Sequence, residues 1–595
     1  MMNTLTDVHR MFAEFFPDKG IQAYAWLISK RLEEGHVCIG IREPEEMRAE
    51  IPYPVLPADE LADLRHLVGR PGDRKPFIID GDRLYLQRYH HYESKIVERI
   101  RHKTIRGRSK SAERRALLET QAELIRSLQA DYSLEGLTDD ERVDWQLAAA
   151  LNALTDDFSI ITGGPGTGKT TTLAKLLRIL YACQPDAQVA LAAPTGKAAM
   201  RMLESLKRSA ANFPEDVRQR IESLKPSTLH RLLGWQKGKV EFKYNAARPL
   251  EFDFVVIDEA SMVDIPMFAK LLDACGTRAR LILLGDKDQL ASVEAGSLLG
   301  DLCLAVDENQ LNRFAPESCD WLNRFIPDPS RRITAAHHAT TTGPLTGRIV
   351  ELRLSHRFKA QGEIGRLSRA IITGDTTALA TLAGAPATPE VRFDTDCSEK
   401  LLEGFIAGYA AYIREPDPAA ALKKLNHLRV LVAVREGPRG LLAVNRRIEQ
   451  LLQQQRLIMT GTDFYEHRPV IVTRNNYELD LFNGDIGITR VENGRARVWF
   501  EGSDGQMRSV PAASLSHCET VFAMTIHKSQ GSEFNHVLVL LPEGTDTPIL
   551  TRELLYTGVT RAKNSVLLQA GLDTLLHTTS ERVRRVSGVQ ERLKN

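Results

Sequence analysis

Residues suited to gripping a polyphosphate stand together at 163–170: Gly163, Gly164, Pro165, Gly166, Thr167, Gly168, Lys169 and Thr170. They match G-x-x-x-x-G-K-[ST], follow an apolar run (Phe158 to Ile161) and open a helical stretch that begins with Thr171. Glycines let backbone N–H groups converge on phosphate oxygens, and a helix N-terminus adds a favourable dipole. Lys169 is then placed to reach the β- and γ-phosphates of ATP, and Thr170 to ligate Mg2+.

A second chemical group follows an apolar run at 254–257. Asp258 and Glu259 arrive at the carboxyl edge of a sheet, where open α/β folds bind ligands. Asp258 suits Mg2+ held through water, and Glu259 suits orienting and deprotonating the attacking water. Gln289, in LLGDKDQL, has the type and place to sense a γ-phosphate. Arg357 (LRLSHRF) and Arg561 (LLYTGVTRAK) are candidates to meet charge developing on the transferred phosphoryl group. Both fall, on this reading, in a second α/β block, which would make hydrolysis depend on domain closure.

The elements that must position these groups are legible as pattern. At 595 residues, length alone suggests about four domains. Residues 1–105 mix helical patterns with a strand-like FIIDGDRLYLQRY, and Tyr85, Tyr89 and Tyr92 are expected to pack a small core of their own. The basic stretch 103–115 reads as a linker or an exposed helix start, a solvated charge run by default though able to touch nucleic acid, and 106–135 is assigned as a linker. From about 136 to 347, apolar β-runs alternate with helical segments, the signature of a parallel sheet covered on both faces. The Pro/Ser/Thr-rich stretch 326–346 reads as a loop, its His337–His338 pair a surface feature rather than a metal site. A second α/β block fills 348–595. Within it 460–515 turns to short strands, and Asn483-Gly484 and Asn493-Gly494 are hairpin signals of a small inserted β-barrel.

Composition narrows the class. With 43% hydrophobic and 26% charged residues the chain reads as globular, and no apolar run is long enough to span a bilayer. The seven cysteines are scattered with no CxxC pair, and the N-terminus shows no signal-peptide pattern, so a cytoplasmic protein is expected. A net charge of +1 confines any nucleic-acid surface to a local groove. No acid–lysine cluster with nuclease-like spacing is present.

The order of these segments resembles superfamily 1 helicases of the 5′-to-3′ branch. WQLAAALNAL, LAAPTGKAA, STLHRLLG, VVIDEASMVD, LLGDKDQLASVEAG, LRLSHRF, AMTIHKSQGSEF and LLYTGVTRAK stand where that family places its motifs, covering most of 140–570. Within the branch, TIHKSQGSEF, YTGVTRA and the β-rich insertion are most similar to RecD-type subunits of bacterial RecBCD (exonuclease V) complexes. The resemblance implies two RecA-like domains, an SH3-like inserted barrel and a mainly α N-terminal domain that docks on a RecC-like partner. It implies adenine recognition by Gln146, phosphate-sensing arginines at 357 and 561, and nucleotide proximity for Gly531 and Glu533. It further implies single-stranded DNA contacts from Pro194, Thr195, His230, Thr525, His527, Lys528 and Ser529. The implied function is an ATP-dependent 5′-to-3′ DNA translocase acting at duplex ends in break repair and recombination, with RecB-like and RecC-like partners. Cleavage then belongs to the complex and not to this chain. A free-standing RecD-like repair helicase, an RNA motor and a subunit that binds ATP without turnover are the competing readings.

Overall fold

Short helices lead into strands too brief to show an alternating pattern in sequence. The computed structural model describes residues 7–594 apart from 240, 307–310, 341, 358–361, 477 and 503–504. The opening six residues and Phe358 of LRLSHRF therefore lie outside the described residues. Helices Val8–Glu14 and Lys19–Glu33 are each started by an aspartate, Asp7 and Asp18, whose carboxylate accepts first-turn N–H groups. They cover a sheet of β1 (Cys38–Gly40), β2 (Val68–Gly69), β3 (Phe77–Asp80) and β4 (Arg83–Leu86), ordered β1-β4-β3-β2. Tyr24, Leu27, Phe77 and Leu84 fill its core. Tyr85, Tyr89 and Tyr92 do not belong to that core. They pack with Phe158 and Ile160 against the larger unit that follows.

The expected linker is a helix. Gln87–Glu119 is continuous across residue 106 and 33 residues long, so its basic run has a rail of about 50 Å on which to be spaced. Those cations are not merely solvated. Arg106 and Arg114 meet Asp157 at 3.2 and 2.5 Å and Lys103 donates to Ala279 O at 2.6 Å, while earlier on the same helix Lys95 and Arg99 meet Asp273 at 2.7 and 3.1 Å. Composition gives charge but not direction, and here the direction is inward.

The apolar runs form β5 (Phe158–Thr162), β6 (Val189–Ala193), β7 (Ser227–Thr228), β8 (Phe254–Ile257), β9 (Arg280–Gly285) and β10 (Ile349–Glu351). All pair in parallel in the order β10-β5-β9-β8-β6-β7. β10 moves the expected boundary at 347/348, because Ile349–Glu351 is the edge strand of this first sheet and pairs with β5. A three-residue strand after a Pro/Thr-rich loop carries no mark of which sheet it joins. In that loop His337 is buried, 3.0 Å from Asp140 and edge-on to Trp145 at 5.1 Å, so it is a packed core residue and not a surface one.

The second parallel sheet comprises β11 (Val391–Asp394), β12 (Leu428–Val432), β18 (Ala523–Thr525), β19 (Phe534–Leu540) and β20 (Ala562–Gln569), ordered β11-β20-β19-β12-β18. Between β12 and β18 lies an antiparallel sheet of β13 (Pro469–Val472), β14 (Ile486–Glu492), β15 (Arg495–Glu501), β16 (Met507–Pro511) and β17 (Cys518–Thr520). It has its own core of Val470, Val472, Leu481, Val498, Phe500 and Val510. Its last strand extends past the expected limit of 515. Asn493 and Gly494 both take positive φ (50° and 76°) between β14 and β15, the backbone a two-residue hairpin turn needs. The closing helix, Val589–Lys594, leaves the second unit and packs on the 87–119 helix, where Arg592 binds the fully buried Glu93 at 2.6 Å.

Candidate nucleotide cleft and nucleic-acid face

β5, β9 and β8 are neighbours, so their carboxyl ends deliver the 163–170 loop, Asp286–Gln289 and Asp258–Glu259 side by side. Gly166 and Gly168 take φ of 78° and 90°, conformations costly for any residue with a Cβ. A Cβ would also collide with Arg357 at the first and with Gln146 at the second. Lys169 Nζ donates to Gly163 O at 2.6 Å and Gly164 O at 3.2 Å, which occupies the ammonium with the carbonyls of its own loop. Gln146 Nε2 donates to Thr167 O at 3.2 Å and lies 3.4 Å from His356 Nε2.

Two carboxyls are shifted upward at this edge. Burial and the adjacent Glu259 lift Asp258 to about 7 against the pull of Lys169, while its carboxylate accepts the Glu259 N–H at 2.9 Å. Glu259 itself has φ 52°, a left-handed backbone that is strained for a non-glycine residue and that recurs at functional sites. Burial likewise lifts Asp286 to about 6, opposed by Lys169 and aided by Asp288. Asp286 Oδ2 accepts from Gln289 Nε2 at 2.8 Å and from the Tyr556 hydroxyl at 3.2 Å, so the Gln289 amide nitrogen faces Asp286.

From the second sheet come Gly531, Glu533, Arg561 and Lys563. Glu533 forms an ion pair with Arg357, lies 3.2 Å from Lys563 and 3.9 Å from Arg201. Burial pushes its carboxyl up, but Arg357, Arg201 and Lys563 outweigh that and hold it at about 2. Arg561 is buried, with Nε donating to Thr557 O at 3.1 Å and Nη1 to Ser532 O at 3.2 Å. Burial lowers its pKa, opposed by Glu259 and Glu533. Arg357 does not sit on the second block as expected. It hangs from β10, where Leu352 N–H donates to Thr162 O at 2.8 Å and His356 N–H to Gly166 O at 2.9 Å.

One cleft of about 950 Å³ collects these groups, with Gln146, Pro165, Gly166, Gly168, Lys169, Thr170, Thr171, Asp258, Glu259, Gln289, Arg357, Gly531, Glu533 and Arg561 on its walls. Gly163, Gly164 and Thr167 form the back of the loop. Sequence reasoning missed Tyr132, Lys175, Arg201, His356 and Lys563, which also line it. Lys563 and His356 adjoin motif residues and were within reach. Tyr132 comes from the stretch read as linker and gave no signal.

The nucleic-acid candidates divide. Pro194 and Thr195 follow β6 and His230 follows β7, farther along the same carboxyl edge. Thr195 Oγ1 caps the helix Gly196–Ser209 by accepting from Ala198 N–H at 3.2 Å. His230 opens into a second cleft of about 730 Å³ between the first unit and the inserted sheet, with Arg231, Trp235, Arg474, Phe482 and His517. Thr525, His527 and Lys528 lie where β18 ends, Thr525 Oγ1 accepting from Lys528 N–H at 3.3 Å and Lys528 Nζ lying 3.5 Å from Glu519. Ser529 is fully buried, its hydroxyl donating to Ile526 O at 2.6 Å, so it closes a turn and presents nothing to a strand.

The AAA domain family (AAA_19) matches residues 146–295, and the UvrD-like helicase C-terminal domain family matches 520–568. The RecBCD enzyme subunit RecD of Haemophilus influenzae is 34% identical over 501 residues, 76% of this chain and 73% of that protein. The RecD subunit of Mycobacterium tuberculosis is 37% identical over 464 residues, 76% of this chain and 73% of its own length. That of Mycolicibacterium smegmatis is 34% identical over 593 residues, 97% of this chain and 94% of its own length. The chain belongs to the RecD family. Membership makes it an ATP-dependent DNA helicase. Among the described residues no helix is long and apolar enough to cross a membrane, and no group of three His, Cys, Asp or Glu side chains is placed to hold a metal.

Proposed function

We propose that the chain is the 5′-to-3′ single-strand motor of a RecBCD-type helicase–nuclease, acting at duplex ends in break repair and recombination. The observation that carries the motor reading is the cleft itself. It brings Lys169, Asp258, Glu259 and Gln289 of one sheet against Glu533 and Arg561 of the other, so hydrolysis depends on how the two units close.

In this reading the incoming triphosphate replaces the loop carbonyls as acceptor for Lys169. Glu259 orients and deprotonates water, while Gln289, Arg357 and Arg561 meet the charge developing on the γ-phosphoryl group. Glu533 holds Arg357 as an anion in the absence of phosphate and releases it when one arrives. Thr170 and Asp258 fit Mg2+: a hydroxyl and a destabilised carboxyl face the cleft beside the phosphate cradle, and Mg2+ in such sites takes few protein ligands. Held there by Thr170 and Asp258, Mg2+ would supply positive charge to offset that of the phosphates.

Pro194, Thr195 and His230 on the first unit and Thr525, His527 and Lys528 on the second contact the strand without reading sequence. The loop 526–533 runs from the carboxyl end of β18 to the amino end of β19 and therefore joins candidate strand contacts to Gly531 and Glu533. The inserted sheet, read as an SH3-like barrel, flanks that path, and Trp235 and Phe482 offer stacking surfaces in the second cleft. The N-terminal block, read as residues 1–105, carries the partner-docking role. Val8 and Met11, one helical turn apart, and Phe15 beyond them are 67%, 59% and 79% exposed, an apolar stripe that a RecC-like subunit would cover. RecB-like and RecC-like subunits complete the assembly, and nuclease activity lies outside this chain.

Two measurements test the reading. Lys169→Gln is expected to abolish DNA-stimulated ATPase and unwinding while assembly persists, and unchanged turnover refutes the site. Affinity purification after mild lysis is expected to recover two larger subunits; a fully active lone monomer refutes the complex.

A further inference from the structure

Two lysines on one helix differ in a way the phosphate chemistry does not explain. In Lys169–Cys183, Lys169 has two carbonyl acceptors, while Lys175 Nζ is buried and has no hydrogen-bond partner among the described residues. Lys175 is only 8% exposed, yet it lines the nucleotide cleft. It lies four residues after Thr171, on the same helix face and about 6 Å farther along the axis, beyond the phosphate cradle.

Its surroundings suit a flat ring. The Tyr132 and His356 rings meet edge-on at 5.4 Å, and Gln146 Nε2 lies 3.4 Å from His356 Nε2. Tyr132 is fixed by Arg331, whose guanidinium lies 4.3 Å from the ring centroid and donates to Tyr132 O at 2.5 Å. The nearby acid, Asp144, is already committed, accepting from Ala130 N–H at 2.7 Å and Leu147 N–H at 3.0 Å. Burial also depresses the Lys175 pKa, with Asp144 opposing. An ammonium so placed destabilises the ligand-free protein until an acceptor arrives.

We propose that Lys175 is a purine-reading residue, donating its ammonium to a ring acceptor of the nucleotide base between Tyr132, His356 and Gln146. A purine presents ring nitrogens as acceptors on its edge, and its faces suit aromatic walls. The inference rests on the reading of this cleft as the ATP site and names which chain atoms bind the base half of the ligand.

The test compares ATP with inorganic tripolyphosphate, which occupies only the phosphate cradle, on the full chain and on Lys175→Met. Methionine keeps the length and removes the donor. A lost hydrogen bond to a charged group predicts that Kd and KM for ATP rise about tenfold or more. The tripolyphosphate Kd and the kcat at saturating ATP stay near wild type. Without nucleotide, Lys175→Met melts at or above the wild-type temperature, because an unpaired buried charge is gone. Lys175→Gln, with a donor restored, recovers part of the ATP affinity. Equal weakening of ATP and tripolyphosphate, unchanged ATP affinity, or a lower melting temperature in Lys175→Met each overturns the proposal. Failure of the wild-type chain to bind ATP, or of tripolyphosphate to compete with it, refutes the ATP-site reading instead and is visible without either variant.

Discussion

Two clefts of this protein lie along the same sheet edge with opposite chemistry. The candidate nucleotide cleft gathers ionisable groups: Lys169, Asp258, Glu259, Glu533, Arg561 and Lys563. The second cleft combines rings and amides, Trp235, Phe482, Asn475, Asn476 and His517, with a few cations at Arg231, Lys237 and Arg474. A site that must distinguish one charge distribution along a reaction needs charges held in place, since they act without reorganisation. A site that must accept any base in turn needs faces and flexible donors, because stacking tolerates every base. The difference also shows in burial. Arg561 is almost wholly buried, whereas Trp235 is 47% exposed.

Substitutions should separate the two. Lys169→Gln is expected to bring ATPase to background while single-stranded DNA binding, measured by fluorescence anisotropy, persists; joint loss would show the clefts are not separable. Arg561→Ala is expected to lower kcat by roughly 10³-fold or more with ATP binding retained, the behaviour of a group that acts on the transition state. Trp235→Ala with Phe482→Ala should weaken single-stranded DNA binding by about tenfold or more, from stacking worth about 1–3 kcal/mol per base. If affinity is unchanged, the strand runs elsewhere.

The smallest effect concerns stability. Asp258 is lifted to about 7, above the ordinary aspartate value of about 3.9, so its ionisation disfavours the native state. That penalty is absent below about pH 4 and grows until the pH passes the native value near 7. Asp258→Asn should therefore melt a few degrees higher than wild type at pH 7.5 without nucleotide, the gap closing toward pH 4, while ATPase is lost. A lower melting temperature would show that the carboxylate is already compensated.

What was legible followed from chemistry that is local in sequence. The 163–170 loop, the Asp258–Glu259 pair and the Asn493-Gly494 turn each depend on neighbours within a few residues, and each pattern names its backbone. The errors came from placement. Arg357 looked like a second-block residue because β10 is three residues long and gives no sign of the sheet it joins. The basic run near 106 looked solvated because its partners, Asp157 and the Ala279 carbonyl, are distant in sequence. The resemblance implied a strand contact from Ser529, but its hydroxyl points into a turn.

The sequence by itself determined the 163–170 loop as a candidate phosphate cradle, the apolar runs that lead into it and into Asp258, and the family to which the chain belongs. These rest on spacing, and spacing survives in one dimension. Only the tertiary structure decided which cations meet Glu533, that a 33-residue helix takes the first part of the expected linker, and that Lys175 is buried at the cleft without an acceptor among the described residues. The contacts of Glu533 with Arg357 and Arg201 join segments more than a hundred residues apart, where burial sets the strength of a charge and no local pattern reports it.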